Sequence, residues 1–457
     1  MLLANQAAKN HKLSLYEPAV VGFHLKNGVH VGEQLISHKT MVQEIEIVPQ
    51  TSDMAINRRT GTLILQDHSF EAVFGMNGQS YDEKLIEFLE KGAGYLAALA
   101  SAGLPLQLLL SGGYDSRLVL GLLLASNQSN KLRITSYPHK ENDFQAATSI
   151  CKTLNLPLNT NAPAKPGTLS SGESFRMWML SCGGNYLPVY PVRNTELSRN
   201  VEIRLTGDQP TGWDHFAGNA PFNGTANKIS DDIRKALANR PFGMDVADDF
   251  LSFFQRSGID PKHPKAMLAH YGAVRSRHHC GRAWYKTLGR EQLFTPLMQR
   301  DMVALCYHDK RQDNSDIRIF ADAFSALGGW TLTEPFETPD RQFPKEMLQN
   351  SPFKGGVKIT PRKVSVFGFG ISNRVSEPNL RSIPLPLAHS ETSFKKHISA
   401  GLWATKLTRQ SKLFSNSDFV AANLEISQNG TLSHGFRKTT LIVMTEAIME
   451  IIAGSGR

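Results

Sequence analysis

Between residues 106 and 125 a short, largely apolar stretch, Leu106-Gln107-Leu108-Leu109-Leu110, runs into Ser111-Gly112-Gly113-Tyr114-Asp115-Ser116-Arg117. A second apolar stretch, Leu118 to Ala125, follows at once. A strand that enters a helix through two adjacent glycines constrains the fold more than any other feature of the chain. The first stretch is of buried-strand type and the second is helical. Downstream the alternation continues. Leu132 to Tyr137 reads as a strand, Asp143 as the cap of a helix bearing Ala146, Ala147, Ile150 and Leu154, and Val201 to Leu205 as another strand. Upstream, Leu85, Phe88, Leu89, Leu96 and Leu99 recur at helical spacing over 82–101. Strands alternating with helices predict an α/β fold, a parallel sheet with helices on both faces.

Three regions follow from these patterns. Residues 1–80 read as a small β-rich region. Val20 to Val31 predicts a hairpin with Asn27-Gly28 at its turn, and Glu44–Val48 and Thr62–Leu65 are further strands. Residues 81–345 hold the α/β domain, mostly helical after about 245. Residues 346–457 form a helical and irregular C-terminal part, rich in Pro, Gly, Ser and Asn over 350–435 and ending in a helix over 439–453.

Composition narrows the class. With 20% charged and 41% hydrophobic residues over 457 positions, global disorder is excluded. The longest apolar run, Leu441 to Ala453, is interrupted by Glu446 and Glu450 and is too short for a membrane span. Met1 to Gln6 lacks the basic and apolar regions of a signal peptide. Cys151, Cys182, Cys280 and Cys306 form no CxxC pair, which argues against a disulfide framework or zinc ribbon and predicts a reducing, cytoplasmic setting. The net charge of +9 permits a phosphate-rich ligand or nucleic acid without requiring either.

The chemistry sits in the turn. Gly112 and Gly113 let backbone N–H groups approach a ligand without Cβ interference. Ser111 and Ser116 add hydroxyls, and the following helix N-terminus adds positive potential. This is an oxyanion cradle suited to phosphate. Asp115 within it would repel a bare phosphate, so it is expected to hold a divalent cation that bridges to the phosphates. No Gly-Lys-[Ser/Thr] closes the loop, so it is not a Walker A motif. It has neither the GxGxxG spacing nor, with Leu109 ahead of Ser111, that of a nucleophile elbow.

Ser111-Gly112-Gly113-Tyr114-Asp115-Ser116 resembles the SGGxDS loop of the N-type ATP pyrophosphatases, the PP-loop superfamily. The order of motifs around it resembles the synthetase domain of the asparagine synthetase-like family, which includes β-lactam synthetases and lasso-peptide cyclases. Asn142-Asp143-Phe144 stands where that family has an acidic residue opening a helix. Asp214-His215-Phe216-Ala217-Gly218 lines up with its DExFG, with His215 in place of the usual glutamate. Phe294-Thr295-Pro296-Leu297-Met298-Gln299-Arg300-Asp301 stands in the place of its PFLD segment. The resemblance covers roughly 82–310. The N-terminal cysteine of the glutamine-dependent members is replaced by Leu2, and the roughly 80 residues before the first long helix are too few for their glutaminase domain, so the strands of 17–65 read as a remnant of such a domain or as an unrelated cap.

The resemblance implies an AMP-forming, ATP-dependent carbon–nitrogen ligase. ATP and Mg2+ would be held by Ser111, Gly112, Gly113, Tyr114, Asp115, Ser116 and Arg117, with adenine beside Leu110 and Ser136. Asp214, or else Asp208, would partner Asp115 on the metal. Lys345, with Lys354 as the alternative, would stand for the family's transition-state lysine. Arg117 would contact a phosphate, or else face solvent or an acidic neighbour. The partners would be a small-molecule or peptide carboxylate and an amine donor, with a separate ammonia source if ammonia is used. Two other functions are consistent with the same residues: a tRNA-modifying PP-loop enzyme, and a degenerate protein that binds nucleotide without chemistry. His278-His279-Cys280 lacks a second ligand pair and is not expected to bind metal. Arg275, Arg277, Arg282 and Arg290 are expected on a solvated helix face or near an anion, and Trp178, Tyr186 and Tyr190 in the core.

Overall fold

The computed structural model describes residues 4, 7–25, 31–128, 132–161, 167–168, 184–187, 193–194, 203–210, 225–279, 281, 292–309, 315–364, 406–429 and 437–456. The strands are β1 (Ser52–Ile56), β2 (Leu63–Asp67), β3 (Leu106–Leu109), β4 (Leu132–Thr135), β5 (Leu158–Asn159), β6 (Gly167–Thr168), β7 (Arg193–Asn194), β8 (Ile203–Leu205) and β9 (Gln292–Phe294). Five of them form a parallel sheet, flanked by helices, in the order β5-β4-β3-β8-β9. The α/β expectation therefore holds. β5 and β9 are too short to carry a sequence pattern of their own.

β3 is central because both its edges are paired. Leu106 and Leu108 are buried, and Leu106, Gln107 and Leu108 pair with β4 on one side and β8 on the other. Gln107, the polar residue of the strand, donates to Thr135 Oγ1 at 3.2 Å and so is buried satisfied.

The helix Tyr81–Ser101 begins at a capping box. The Glu83 amide donates to Ser80 Oγ, and the Ser80 amide donates to Glu83 Oε2 at 2.8 Å. Leu85, Phe88, Leu89 and Leu96 line its buried stripe. It crosses the helix Tyr114–Ala125 at Gly92, where an added Cβ would come within 2.8 Å of Leu122. The last helix, Arg437–Ala453, is buried along most of its length. Its Glu446 is not a stray charge. Its carboxylate accepts from the Leu407 amide (3.0 Å) and the Thr408 amide (2.7 Å), satisfying the N-terminus of the helix Lys406–Gln410. Buried apolar residues from Ala4 to Ile451 form one cluster that draws on all three sequence regions.

The N-terminal hairpin expectation is corrected. Glu17–Gly22 is helical, with Pro18 in its first turn, and Val20 and Val21 are fully buried. Gly22 lies against Val246 of the helix Gly243–Ser257, 3.5 Å from where a Cβ would be. Packing on a neighbouring helix overrides the strand preference of valine. Asn27-Gly28 lies outside the described residues. Glu44–Val48 contributes one isolated bridge, Lys39 to Glu46, rather than a strand. Thr62–Leu65 is largely borne out by β2, which pairs with β1 as an antiparallel ribbon whose Met54, Ile56, Leu63, Ile64 and Leu65 are exposed. Of the 350–435 stretch, Lys406–Gln410 and Asn416–Asn429 are helical, and 365–405 lies outside the described residues. No helix among the described residues is long and apolar enough to cross a membrane.

Candidate active site

The sheet order creates a crevice. After β3 the chain moves to β4 on one side, and β8 is followed by β9 on the other. The carboxyl ends of β3 and β8 therefore flank a topological switch point, where open parallel sheets bind ligands. Residues 110–117 leave β3 there, and Thr206-Gly207-Asp208 leave β8 beside them. The two loops touch: a Cβ on Gly207 would fall 2.5 Å from Asp115 Cβ and 3.0 Å from the Ser116 amide nitrogen. Only glycine fits there.

The turn is held from within. Leu110 extends the ladder by donating to the Thr135 carbonyl at 2.9 Å, and the Ser136 amide donates to the Asn159 carbonyl at 3.3 Å. The Ser111 amide donates to Ser116 Oγ at 3.1 Å, the two hydroxyls lie 3.0 Å apart, and the Gly113 amide donates to Ser111 Oγ at 3.3 Å. Gly113 is the N-cap of the helix Tyr114–Ala125, which has no side-chain cap. The Glu337 carboxylate lies against this N-terminus, 3.5 Å from where a Gly113 Cβ would be.

Carboxylates surround this turn. Asp143 does not cap its own helix, Glu141–Thr153. It lies inside the first turn and accepts from the Gly112 amide at 3.0 Å. Asp208 is half-buried and accepts from Thr206 Oγ1 at 3.1 Å. Glu337 packs its backbone on Gly112, where a Cβ would meet the Glu337 nitrogen at 2.6 Å, and sits 3.6 Å from Arg341. Glu337 is more than 200 positions away in the chain, and no local signal marks it. Asp214 lies outside the described residues. Among the described residues no group of three His, Cys, Asp or Glu side chains is placed to hold a metal. Magnesium commonly takes only one or two carboxylates along with substrate phosphates and water. Asp115 and Asp208, on two loops in contact, fit that donor set.

Arg117 is fully buried, so the solvent-facing alternative is corrected, and the charges of Glu334 and Glu337 act on it as acidic neighbours. Its guanidinium donates to the carbonyls of Thr331 (2.9 Å), Glu334 (2.9 Å) and Pro335 (2.5 Å), and lies 3.8 Å over the Phe336 ring. Burial brings it down to about 10, with the Glu334, Glu337 and Tyr114 charges opposing. Tyr114 works beside it. It stacks on Phe343 at 4.8 Å, meets Phe336 at 4.9 Å, and its hydroxyl donates to the Arg341 carbonyl. Two residues of the motif thus anchor segment 331–343, which seats Glu337 on the turn. Lys345 is exposed two residues beyond Phe343, and Lys354 is exposed in the turn before Gly355.

The other candidates fall elsewhere. The PFLD-like segment begins at the end of β9, two strands or roughly 10 Å from β3. His278 is buried with both ring nitrogens unpartnered, and His279 Nδ1 lies 3.0 Å from the Tyr271 hydroxyl. Arg275 is buried rather than on a solvated face, and Arg277 donates to the Val48 carbonyl at 2.5 Å. Arg282, Arg290, Trp178 and Tyr190 lie outside the described residues, and Tyr186 is buried. No model of a known protein family matches the chain, and no curated protein is significantly similar to it.

Proposed function

We propose that the chain is an ATP-dependent, AMP-forming ligase that joins a carboxylate to an amine at the 110–117 turn, in the manner of the PP-loop, adenine nucleotide alpha hydrolase-like enzymes. One observation carries this reading. A serine-, glycine- and aspartate-bearing turn with an uncapped helix N-terminus meets a second acidic loop at the switch point of a parallel sheet. The positive N-terminus of the helix Tyr114–Ala125 holds the β- and γ-phosphates, while the Ser111, Gly112 and Gly113 amides, which donate to Ser116 Oγ, Asp143 and Ser111 Oγ, shape the turn. Ser111 and Ser116 fix the turn's shape. Asp115, with Asp208 or Asp214, holds magnesium, which when bound neutralises charge on the departing pyrophosphate. Leu110 and Ser136 form the floor for adenine. An oxygen of the substrate carboxylate attacks the α-phosphorus, and the bond to the α–β bridging oxygen breaks. The amine then attacks the acyl carbon and expels AMP. Preorganised donors of this kind contribute several kcal/mol.

The test is ATP–pyrophosphate exchange across a panel of carboxylic acids, with Asp115→Ala as the control. Exchange that depends on one acid and on Asp115 supports the reading. Exchange that requires RNA would move the chain to the nucleic-acid-modifying branch. A second reading has its own support. Asp143 occupies the Gly112 amide, Glu337 lies on the turn, and His215 replaces a family glutamate. A protein that binds ATP without chemistry would show saturable nucleotide binding and no exchange with any acid.

A further inference from the structure

Segment 331–343 crosses the switch-point turn and is anchored to it on both sides of Glu337. Upstream, Arg117 donates to the Thr331, Glu334 and Pro335 carbonyls and lies over the Phe336 ring. Downstream, the Tyr114 hydroxyl donates to the Arg341 carbonyl and its ring stacks on Phe343. Between the anchors run only Glu337 to Asp340, which are half-buried or exposed. The Glu337 backbone is pressed on Gly112, where a Cβ would meet the Glu337 nitrogen at 2.6 Å and its Cα at 2.8 Å.

The side chain continues along the turn to the helix. Its two carboxylate oxygens stand 3.5 and 3.7 Å from where a Gly113 Cβ would be, and Gly113 is the N-cap of Tyr114–Ala125. A carboxylate at that end of a helix is favoured by the same partial charge that favours a phosphate. Arg341 Nε lies 3.6 Å from Glu337 Oε1, and both side chains are partly exposed. Such an ion pair contributes little. Rotation about the Glu337 side-chain bonds is enough to move the carboxylate, because the anchors keep the backbone in place. Asp143 differs: it accepts from the Gly112 amide at 3.0 Å and is part of the turn itself.

We propose that Glu337 is a built-in competitor for the anion that this turn binds. Its carboxylate occupies the helix N-terminus and swings aside when a magnesium-bound polyphosphate takes that place. The two cannot share the helix end, because like charges a few ångströms apart repel, more strongly where water is excluded. Every ligand of the turn therefore binds against the cost of displacing Glu337. The inference rests on the reading of the turn as a polyphosphate site, and adds to it a gate carried by a single side chain.

Glu337→Gln keeps the size of the side chain and removes its charge. The intact chain and this variant are titrated calorimetrically with inorganic pyrophosphate and, separately, with ATP, each in excess magnesium. Glu337→Gln should bind pyrophosphate at least about tenfold more tightly than the unaltered chain, with unchanged circular dichroism. Glu337→Asp, which keeps the charge, should gain less than Glu337→Gln. A residue that only braced the turn would lose affinity on substitution, not gain it. A smaller gain in Glu337→Gln overturns the proposal, as does a gain in Glu337→Asp that equals it, or the absence of pyrophosphate binding by Glu337→Gln. Weaker binding by Glu337→Gln also overturns it, and makes Glu337 a residue that supports the ligand. Pyrophosphate binding that tightens in Glu337→Gln while ATP binds to neither chain leaves the competitor standing and ends the adenylation reading.

Discussion

At the scale of single residues, the motif divides into groups that face a ligand and groups that hold the turn. Arg117 belongs to the second kind. Replacing it with Met removes three hydrogen bonds and leaves buried carbonyls unsatisfied, so thermal or denaturant unfolding should show a loss of about 3 kcal/mol. A phosphate-contacting arginine would instead leave stability intact and lower nucleotide affinity. Gly207→Ala should lower both properties. Its Cβ would fall 2.5 Å from Asp115 Cβ, so stability should drop by about 1–3 kcal/mol and ATP affinity measured by titration should fall with it. The two lysines are separable by exchange assay: if Lys345 steadies the transition state, Lys345→Ala lowers exchange at least a hundredfold and Lys354→Ala does not.

At the scale of elements, caps and buried carboxylates set where helices begin. Ser80→Ala removes the capping box of the longest helix at the core, and urea unfolding should report a loss of about 1 kcal/mol. Glu446→Ala strips the buried Thr408 amide and the half-buried Leu407 amide of their acceptor and should cost more, about 2–4 kcal/mol. The β1–β2 ribbon contrasts with both. Its apolar residues are exposed, so Leu65→Thr should change stability by less than about 0.5 kcal/mol in the same measurement. Apolar content alone does not stabilise a fold; burial does.

At the scale of the whole molecule, the interior holds histidines in the neutral form. Burial lowers His38 and His270 to about 4 and His278 to about 3; nearby arginines add to this, and the Ile36 carbonyl opposes it only for His270. In the unfolded chain all three titrate near 6.5. The folded values are depressed, so the unfolded state binds more protons below that pH. Stability is then full above about pH 6.5 and falls as pH drops towards 4, by roughly 1.4 kcal/mol per pH unit for each histidine. Denaturant midpoints at pH 7, 6 and 5 should decline accordingly, and a flat profile would show that these imidazoles are not buried neutral. Substituting His278 with Leu should flatten part of the slope.

Much of the core was readable in advance because it is written locally. The helix over 82–101, the strands at 106 and 132 and the glycine turn between strand and helix each depend on neighbours a few residues away. So does the cap at Ser80, which local pattern also encodes. Other features were decided only by tertiary contact. Val20 and Val21 went into a helix because a helix from residue 243 onward offered them a surface. Asp143 passed over its own helix to reach the Gly112 amide, and Arg117 turned inward to the carbonyls of 331–335. Glu337 reached the turn from more than 200 positions away. Backbone pattern is set by short-range sterics and periodicity, which a linear sequence contains. The partner of a long polar side chain is set by which distant backbone groups lie within about 3 Å of it, and only the folded chain brings those together.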